Sequence, residues 1–102
     1  MDYACGPGTL IGQFTNANSI GVDLSLNQIN YAIEKYNTRG NFTTVDNYDL
    51  DEQSNKFDIV TIIGLFEYLE DDEILKLLDK MYNSLKEGGK LIVTTPNYGG
   101  VM

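Results

Sequence analysis

The sequence contains no histidine and no tryptophan, and it has only one cysteine and two prolines. Without histidine, a Ser-His-Asp triad and a histidine-ligated metal site are both excluded. The single cysteine, Cys5, cannot form an internal disulfide, which is typical of proteins from reducing compartments. We therefore expect no metal site, and we look for chemistry that carboxylates, backbone amides and a bound cofactor provide.

Basic residues are also scarce: 7 Lys and Arg stand against 15 Asp and Glu, for a formal net charge of −8. Such a charge repels the phosphates of nucleic acids and of anionic membranes. The longest apolar run, residues 59–66, is far shorter than the ~20 residues of a membrane-spanning helix. No signal peptide is recognisable at the start. We expect a soluble cytoplasmic protein that binds neither nucleic acid nor membrane.

Strand and helix patterns alternate along the 102 residues, a length that suits one domain. This alternation predicts the α/β class, with a Rossmann-like, doubly wound, mostly parallel sheet and helices on both faces in three layers. A first helix is expected directly after the glycines near the start. The other predicted helices cover 25–36 and 71–87, and the predicted strands cover 19–24, 41–46, 57–66 and 90–96.

Within these segments, three further features can be predicted. The nearly uniform apolar run at 57–66 is typical of a strand buried on both faces. In the predicted helix at 71–87, Gly88 and Gly89 mark the end. Its expected buried stripe consists of Ile74, Leu78, Met81 and Leu85, widened by Leu75 and Tyr82.

Three polar features fall where the predicted strands end. These are the glycine loop ACGPG (residues 4–8), Asp23 after IGV, and Asp46 after FTTV. Ligands of a doubly wound sheet bind at the carboxyl ends of its strands. Glycines let backbone approach a ligand, and an ionised carboxylate accepts both hydroxyls of a ribose. A second carboxylate, one strand further out, suits the amino group of a purine. The pattern predicts an adenosine-shaped site with a polar extension over the loop.

Each of these features also has a purely structural interpretation. A glycine-rich turn often makes only a tight corner, and a strand-terminal Asp often caps a helix. Ser25 and Gln28 already form a capping box for the helix at 25–36, which weakens the capping interpretation of Asp23. For Asp46 the structural interpretation stays open, because Asp is common in loops.

Five segments, in order, resemble a class I S-adenosylmethionine-dependent methyltransferase of the group that methylates small molecules. DYACGPG (2–8) is similar to that family's D-x-G-C-G-x-G loop, and GVDLS (21–25) to its second-strand acidic motif. VDNYDL (45–50) resembles its third-strand segment. FDIVTIIGLFEYLED (57–71) resembles its fourth strand and LKEGGKLIVTTPN (85–97) its fifth. The resemblance covers nearly the whole chain.

The resemblance implies a role for each matched residue. Asp2 would contact the amino group of the cofactor, and Ala4, Gly6, Gly8 and Gly64 would border its methionine part. Asp23 would bind the ribose hydroxyls and Leu24 would pack on the adenine ring. The amino group of the adenine would meet Asp46, beside the backbone of Asn47. The implied cofactor is S-adenosyl-L-methionine, and the implied partner is a small-molecule methyl acceptor.

The sequence departs from the family at two positions and at its ends. Ala4 stands where the family usually has its first glycine, and Tyr68 stands where relatives often carry histidine. Only residues 1–4 represent the central first strand, and the family's later strands are missing. We therefore expect residues 1–102 to be the single-domain, cofactor-binding core of a longer protein, or a trimmed gene product. We expect this piece to be poorly stable alone, because a short central strand leaves ladder groups of its neighbours without partners.

The acceptor and the catalytic residue are not identifiable from the sequence. Glu67 and Tyr68 follow the fourth strand and are candidates for a base, although acids at this place more often only cap the next helix. Residues 94–98 are a candidate lining for an acceptor pocket. The Asn-Pro-Pro-aromatic motif of nucleobase amino-methylating enzymes is absent, which argues against nucleic acid as substrate.

Two other functions remain open at this stage. In a nicotinamide-dependent oxidoreductase, Gly6, Gly8 and Gly12 would loosely match the glycine fingerprint, and Asp23 stands at a plausible distance for ribose. A non-catalytic module derived from a methyltransferase would bind the cofactor or a partner without reaction. Ligand preference separates the first of these from the methyltransferase prediction.

Overall fold

A computed structural model describes residues 1–13, 18–36 and 40–94. Its strands are β1 (Asp2–Tyr3), β2 (Ile20–Asp23), β3 (Asn41–Thr44), β4 (Phe57–Ile63) and β5 (Leu85–Thr94). Its helices are α1 (Leu26–Tyr36) and α2 (Asp71–Ser84). Single 3-10 turns lie at Ile11–Gln13, Val45–Asn47, Leu50–Glu52 and Phe66–Tyr68.

The five strands form one sheet in the order β3-β2-β1-β4-β5, and every neighbouring pair is parallel. The two residues of β1 pair on both sides, since Tyr3 is in register with Val22 of β2 and with Ile62 of β4. From β3 at one edge the chain crosses to β4 on the other side of β1, so the strand order switches between β1 and β4. The predicted α/β class, parallel sheet and partial first strand are confirmed.

The main core lies between one face of the sheet and α2. Tyr3, Val22 and Ile62 share this face because they are partners in register. Helix α2 covers it with Leu77 and Met81. The buried members of this core are Met1, Val22, Leu50, Phe57, Val60, Ile62, Leu77, Met81 and Leu85.

The opposite face of the sheet is covered over β2 and β3 by α1, which buries Ile29, Ala32 and Tyr36. Further along this face, Ile59, Ile63 and Ile92 are about half exposed, at 50%, 46% and 48%. The prediction that β4 is buried on both faces is therefore wrong for this face. Within the described part of the chain, no helix packs over that face of β4 and β5.

Several elements end earlier than predicted. The described part of the expected first helix is one 3-10 turn at Ile11–Gln13, and residues 14–17 lie outside the described chain. Strand β4 ends at Ile63 because Gly64 adopts φ +70°. The last predicted strand is confirmed as far as Thr94, and residues 95 and 96 lie outside the described chain.

Helix α2 ends at Ser84, before the predicted stop at Gly88 and Gly89. The chain becomes extended at Leu85, which pairs with Phe57, and the next pair joins Lys90 to Ile59. The intervening residues bulge out of register, with Gly88 at φ +79°. The two glycines therefore serve the entry into β5 instead of the end of the helix.

The buried stripe of α2 is narrower than predicted. Met81 is buried as expected, together with Leu77 and Ser84, whereas Leu75 and Tyr82 are exposed. Of the other predicted positions, Leu85 is buried and Ile74 and Leu78 are half-buried, so the prediction is wrong only for the two positions that widen the stripe. Neither α1 nor α2, the helices of the described residues, is long and apolar enough to cross a membrane.

Candidate functional site

A cavity of about 560 Å³ lies at the carboxyl ends of the strands, beside the switch between β1 and β4. Tyr3 and Ala4 border it after β1, and Asp23 and Leu24 border it after β2. Its lining is largely apolar, through Leu24, Val45, Leu50, Leu65, Leu69 and Leu77. This position is where a doubly wound sheet binds its ligand, and the apolar lining suits a flat ring.

The glycine loop leaves β1 by a series of left-handed backbone conformations. Ala4, Gly6 and Gly8 have φ of +66°, +56° and +84°. The loop is anchored to β2 by the amide of Cys5, which donates to the carbonyl of Val22 at 2.9 Å. Left-handed backbone favours glycine, so Ala4 is strained here by about 1–2 kcal/mol. That strain accounts for the glycine expected at this position from the family resemblance.

Gly6 and Gly8 differ in what surrounds them. A Cβ on Gly8 would meet Cβ of Ala32 at 2.8 Å and the ring of Phe42 at 2.8 Å, so Gly8 is required for packing of the loop against α1 and β3. A Cβ on Gly6 would meet nothing within 4 Å. Gly6 therefore faces open space, and of the two glycines it is the one whose backbone is accessible to a ligand.

Asp23 joins the glycine loop to the start of α1. Its Oδ1 accepts from the amide of Gly6 at 3.1 Å, and its Oδ2 accepts from the amide of Ser25 at 2.9 Å. The Ser25 hydroxyl caps α1 as predicted, by accepting from the amide of Gln28 at 3.3 Å. Each carboxylate oxygen of Asp23 can accept a second hydrogen bond. Asp23 thus fixes the loop and retains acceptor capacity at the cavity.

Asp2 is buried beneath the loop, at 3% exposure. Its Oδ1 accepts from the hydroxyl of Thr61 at 2.7 Å, across the pair of β1 with β4. Burial raises the pKa of Asp2, while the Thr61 hydroxyl opposes this change. Neither ion pair of the described residues, Lys80–Asp51 and Lys86–Asp58, includes Asp2.

Cys5 is a free, buried thiol within the glycine loop. Burial, together with the charges of Asp2 and Asp23, raises the pKa of Cys5 to about 12. The thiol is therefore neutral and unreactive in the folded protein, since the thiolate is the nucleophile.

Of the nine predicted site residues, the structure brings Ala4, Asp23 and Leu24 to the cavity and joins Gly6 to Asp23. Leu24 is 76% exposed, as a side chain available to cover a ring would be. Asp46 is exposed and Asn47 donates its side-chain amide to the hydroxyl of Thr44 at 3.1 Å; neither borders the cavity.

Gly64 lies at the end of β4, where φ is +70° and its amide donates to the carbonyl of Thr94 at 3.3 Å. The base candidates Glu67 and Tyr68 are both exposed, Tyr68 at 80%, and neither borders the cavity. Residues 95–98 of the candidate acceptor lining lie outside the described chain.

Several cavity residues are missing from the sequence-based prediction. Tyr48 lies two positions after Asp46, whereas Leu65 and Leu69 follow β4 and Leu77 belongs to α2. The leucines appear in the sequence as ordinary core positions, and only the packing of α2 against the sheet places them here. Among the described residues, no group of three His, Cys, Asp or Glu side chains is arranged to hold a metal ion.

Residues 1–89 match the profile of a protein family described as "Methyltransferase domain". This match includes the glycine loop, Asp23, Asp46 and Gly64, so it spans the whole candidate site. The chain belongs to the methyltransferase domain family. The predicted family is thereby confirmed. The sequence has no significant match among curated proteins.

Solved structures share the fold of this methyltransferase domain. The PH0226 protein of Pyrococcus horikoshii OT3 is 25% identical over 92% of this chain, with a TM-score of 0.77. A SAM-dependent methyltransferase of Archaeoglobus fulgidus is 25% identical over 94%, with a TM-score of 0.73. PKMT2 of Rickettsia typhi, in complex with AdoHcy, is 28% identical over 90%, with a TM-score of 0.74.

These proteins are much longer than this chain. The aligned part covers 47% of the Pyrococcus protein, 43% of the Archaeoglobus protein and 20% of the Rickettsia protein. The similarity therefore concerns the sheet and the cavity at its carboxyl edge.

Proposed function

We propose that this methyltransferase domain binds S-adenosyl-L-methionine in the cavity and takes part in methyl transfer to a small-molecule acceptor. The observation that carries the proposal is the place of Asp23. Its carboxylate lies at the carboxyl end of β2, borders the cavity and is bonded to the glycine loop through Gly6. This arrangement suits a nucleoside whose ribose meets the carboxylate and whose polar tail lies along the loop.

The residues present fit this cofactor. Asp23 has acceptor capacity for the ribose hydroxyls, and the exposed Leu24 is available to pack on the adenine. The open space over Gly6 admits the methionine part. Ala4 borders the cavity, whereas Asp2 is buried and does not border it, so its contact with the amino group rests on the family resemblance alone.

The remaining assignments rest on the family resemblance. Gly8 and Gly64 shape the backbone on either side of the methionine part. Asp46 and the backbone of Asn47 would hold the adenine amino group, which requires them to approach the cavity that they do not border in this structure.

The residues of this domain contribute to methyl transfer mainly by positioning the cofactor. S-adenosylmethionine supplies an activated methyl group on a sulfonium, which leaves a neutral thioether after transfer. Asp23 and the glycine loop fix the nucleoside, so that the methyl group has one orientation. The apolar side chains of Leu65 and Leu69 exclude water from the cavity side. A base is required only where the acceptor must lose a proton, and the catalytic residue is left unassigned.

We propose that the methyl acceptor is a small molecule. The net charge of −8 disfavours a nucleic-acid substrate and an anionic membrane partner. A cytoplasmic location belongs to the same proposal, since the one cysteine is a free thiol.

Calorimetric titration of the 102-residue chain with AdoHcy and, in parallel, with NADH tests the proposal. Circular dichroism first establishes that the protein is folded. Saturable heat with AdoHcy and none with NADH is the expected result. Binding of NADH alone would favour a nicotinamide-dependent oxidoreductase. Failure of a folded chain to bind either ligand would contradict the cofactor assignment and favour a non-catalytic module.

A further inference from the structure

Tyr48 is the one described residue whose side chain has a buried polar atom without a hydrogen-bond partner, its hydroxyl oxygen. The residue lies between the 3-10 turns at Val45–Asn47 and Leu50–Glu52, and it borders the cavity. Its ring also packs against the main core. A buried hydroxyl without a partner is unfavourable, and such groups in folded proteins are few.

The carboxylates around the cavity already have protein partners. Asp23 accepts from two amides, and Asp49 accepts from the amide of Asp51 at 2.9 Å. Glu73 accepts from the amide of Glu70 at 3.1 Å. The cavity side chains of Val45, Leu50 and Leu77, close to Tyr48 in sequence or in the core, are apolar. Among the described residues that line the cavity, Tyr48 is therefore the one whose polar atom is sealed from solvent without a hydrogen-bond partner.

We propose that Tyr48 contacts the purine base of the cofactor through its hydroxyl and helps to select that base. This inference rests on the proposed function, and it adds a binding residue that the family resemblance does not assign. Asp23 and Leu24 place the nucleoside at the β2 side of the cavity, so the base extends toward Val45 and Tyr48. Asp46, to which the resemblance assigns the adenine amino group, does not border the cavity.

The contact requires a small movement of the ring. The hydroxyl oxygen is sealed from solvent, although the residue as a whole is only partly buried. Rotation about the side-chain bonds brings the hydroxyl to the cavity as the base enters. The hydrogen bond then formed replaces an unsatisfied group, so binding of the base relieves an unfavourable feature of the free protein.

The test compares Tyr48→Phe with Tyr82→Phe, a matched change at a tyrosine that is 65% exposed on α2 and does not border the cavity. AdoHcy affinity is measured by calorimetry for both variants and the wild type. We expect Tyr48→Phe to lose about three- to tenfold in affinity, the effect of one ordinary hydrogen bond. Tyr82→Phe should bind as the wild type does.

Two further readouts separate this role from a structural one. The same loss is expected with 5′-methylthioadenosine, which has the nucleoside without the amino-acid part. The unliganded Tyr48→Phe protein should unfold at the wild-type temperature or above, because it loses only an unpaired hydroxyl.

The outcomes that overturn the inference are distinct from failure of the proposed function. Wild-type affinity of Tyr48→Phe for AdoHcy, or a loss confined to AdoHcy, would remove Tyr48 from the base site while leaving the cofactor assignment intact. A lowered unfolding temperature of unliganded Tyr48→Phe would show that the hydroxyl has a partner in the free protein. Absence of AdoHcy binding by the folded wild type would overturn both proposals.

Discussion

The carboxylate of Asp23 accepts a hydrogen bond from the amide of Gly6 at 3.1 Å, across a separation of 17 residues. Its second oxygen accepts from the amide of Ser25 at 2.9 Å. One side chain therefore connects the loop after β1 to the first turn of α1. Asp23, which is assigned to the ribose, therefore also positions the backbone of the glycine loop. That backbone borders the methionine part of the cofactor.

Replacement of Asp23 should affect both stability and binding. Asp23→Ala leaves the amides of Gly6 and Ser25 without a side-chain partner, and hydrogen bonds to charged groups contribute roughly 1.5–3 kcal/mol each. We expect a lower urea midpoint and a loss of AdoHcy affinity of about tenfold to a hundredfold. Asp23→Asn, which retains one oxygen, should lose less stability.

The control for Asp23→Ala is Asp51→Ala, which removes an exposed ion pair with Lys80 at 3.2 Å. Such pairs contribute roughly 0–1 kcal/mol, and AdoHcy binding should not change. Wild-type affinity in folded Asp23→Ala would refute the ribose assignment.

Gly6 and Gly88 form a matched pair for testing the loop. Both have left-handed φ, +56° and +79°, and a Cβ at either would meet nothing within 4 Å. Gly6→Ala and Gly88→Ala should therefore each lower the free energy of unfolding by about 1–2 kcal/mol. Only Gly6→Ala should weaken AdoHcy binding in a titration, because only its methyl group enters the ligand space. Equal affinities for AdoHcy would place the ligand away from the loop.

Asp2 should make the folded protein less stable as pH rises. Burial raises the pKa of Asp2 above its ordinary value of 3.8, so the unfolded chain releases this proton first. The contribution of the protonated Asp2 carboxyl to the free energy of unfolding is complete below pH 3.8. This contribution is lost as pH rises through the pKa of the folded state.

The neutral variant Asp2→Asn keeps an oxygen that can accept from Thr61. We expect its urea midpoint to exceed that of the wild type at pH 7 and to approach it near pH 3, while AdoHcy affinity falls at pH 7. The exposed Asp58→Asn, whose partner is Lys86, serves as the control. A lower midpoint for Asp2→Asn at pH 7 would contradict the destabilising effect of the buried charge.

Cys5 should be protected from thiol reagents in the folded state. Its pKa, raised by burial from 9.0 to about 12, lowers the thiolate fraction by about a thousandfold at pH 8. Ellman's reagent should react slowly with the native chain and rapidly in urea. The same pKa predicts that stability falls between about pH 9 and pH 12, where the unfolded thiol ionises first. Rapid native reaction at pH 8 would contradict the burial of Cys5.

The parallel α/β sheet could be predicted from the sequence, because hydrophobic patterns typical of helices and of strands alternate along the chain. It also placed Asp23 and Gly6 at one sheet edge, since strand ends align in a parallel sheet. The exposure of Ile59 and Ile63 could not be predicted, because a strand's apolar pattern does not reveal which faces are covered. Tyr48 and Leu77 join the cavity only through tertiary packing, which no local spacing encodes.

The most direct measurement of the ligand's position is a ¹H–¹⁵N NMR titration of the chain with AdoHcy. The account predicts that the amide signals of Gly6, Ala4 and Leu24 shift in proportion to saturation, while that of Gly88 stays in place. Saturable binding that leaves the Gly6 and Leu24 signals unmoved would contradict a cofactor site at the loop held by Asp23.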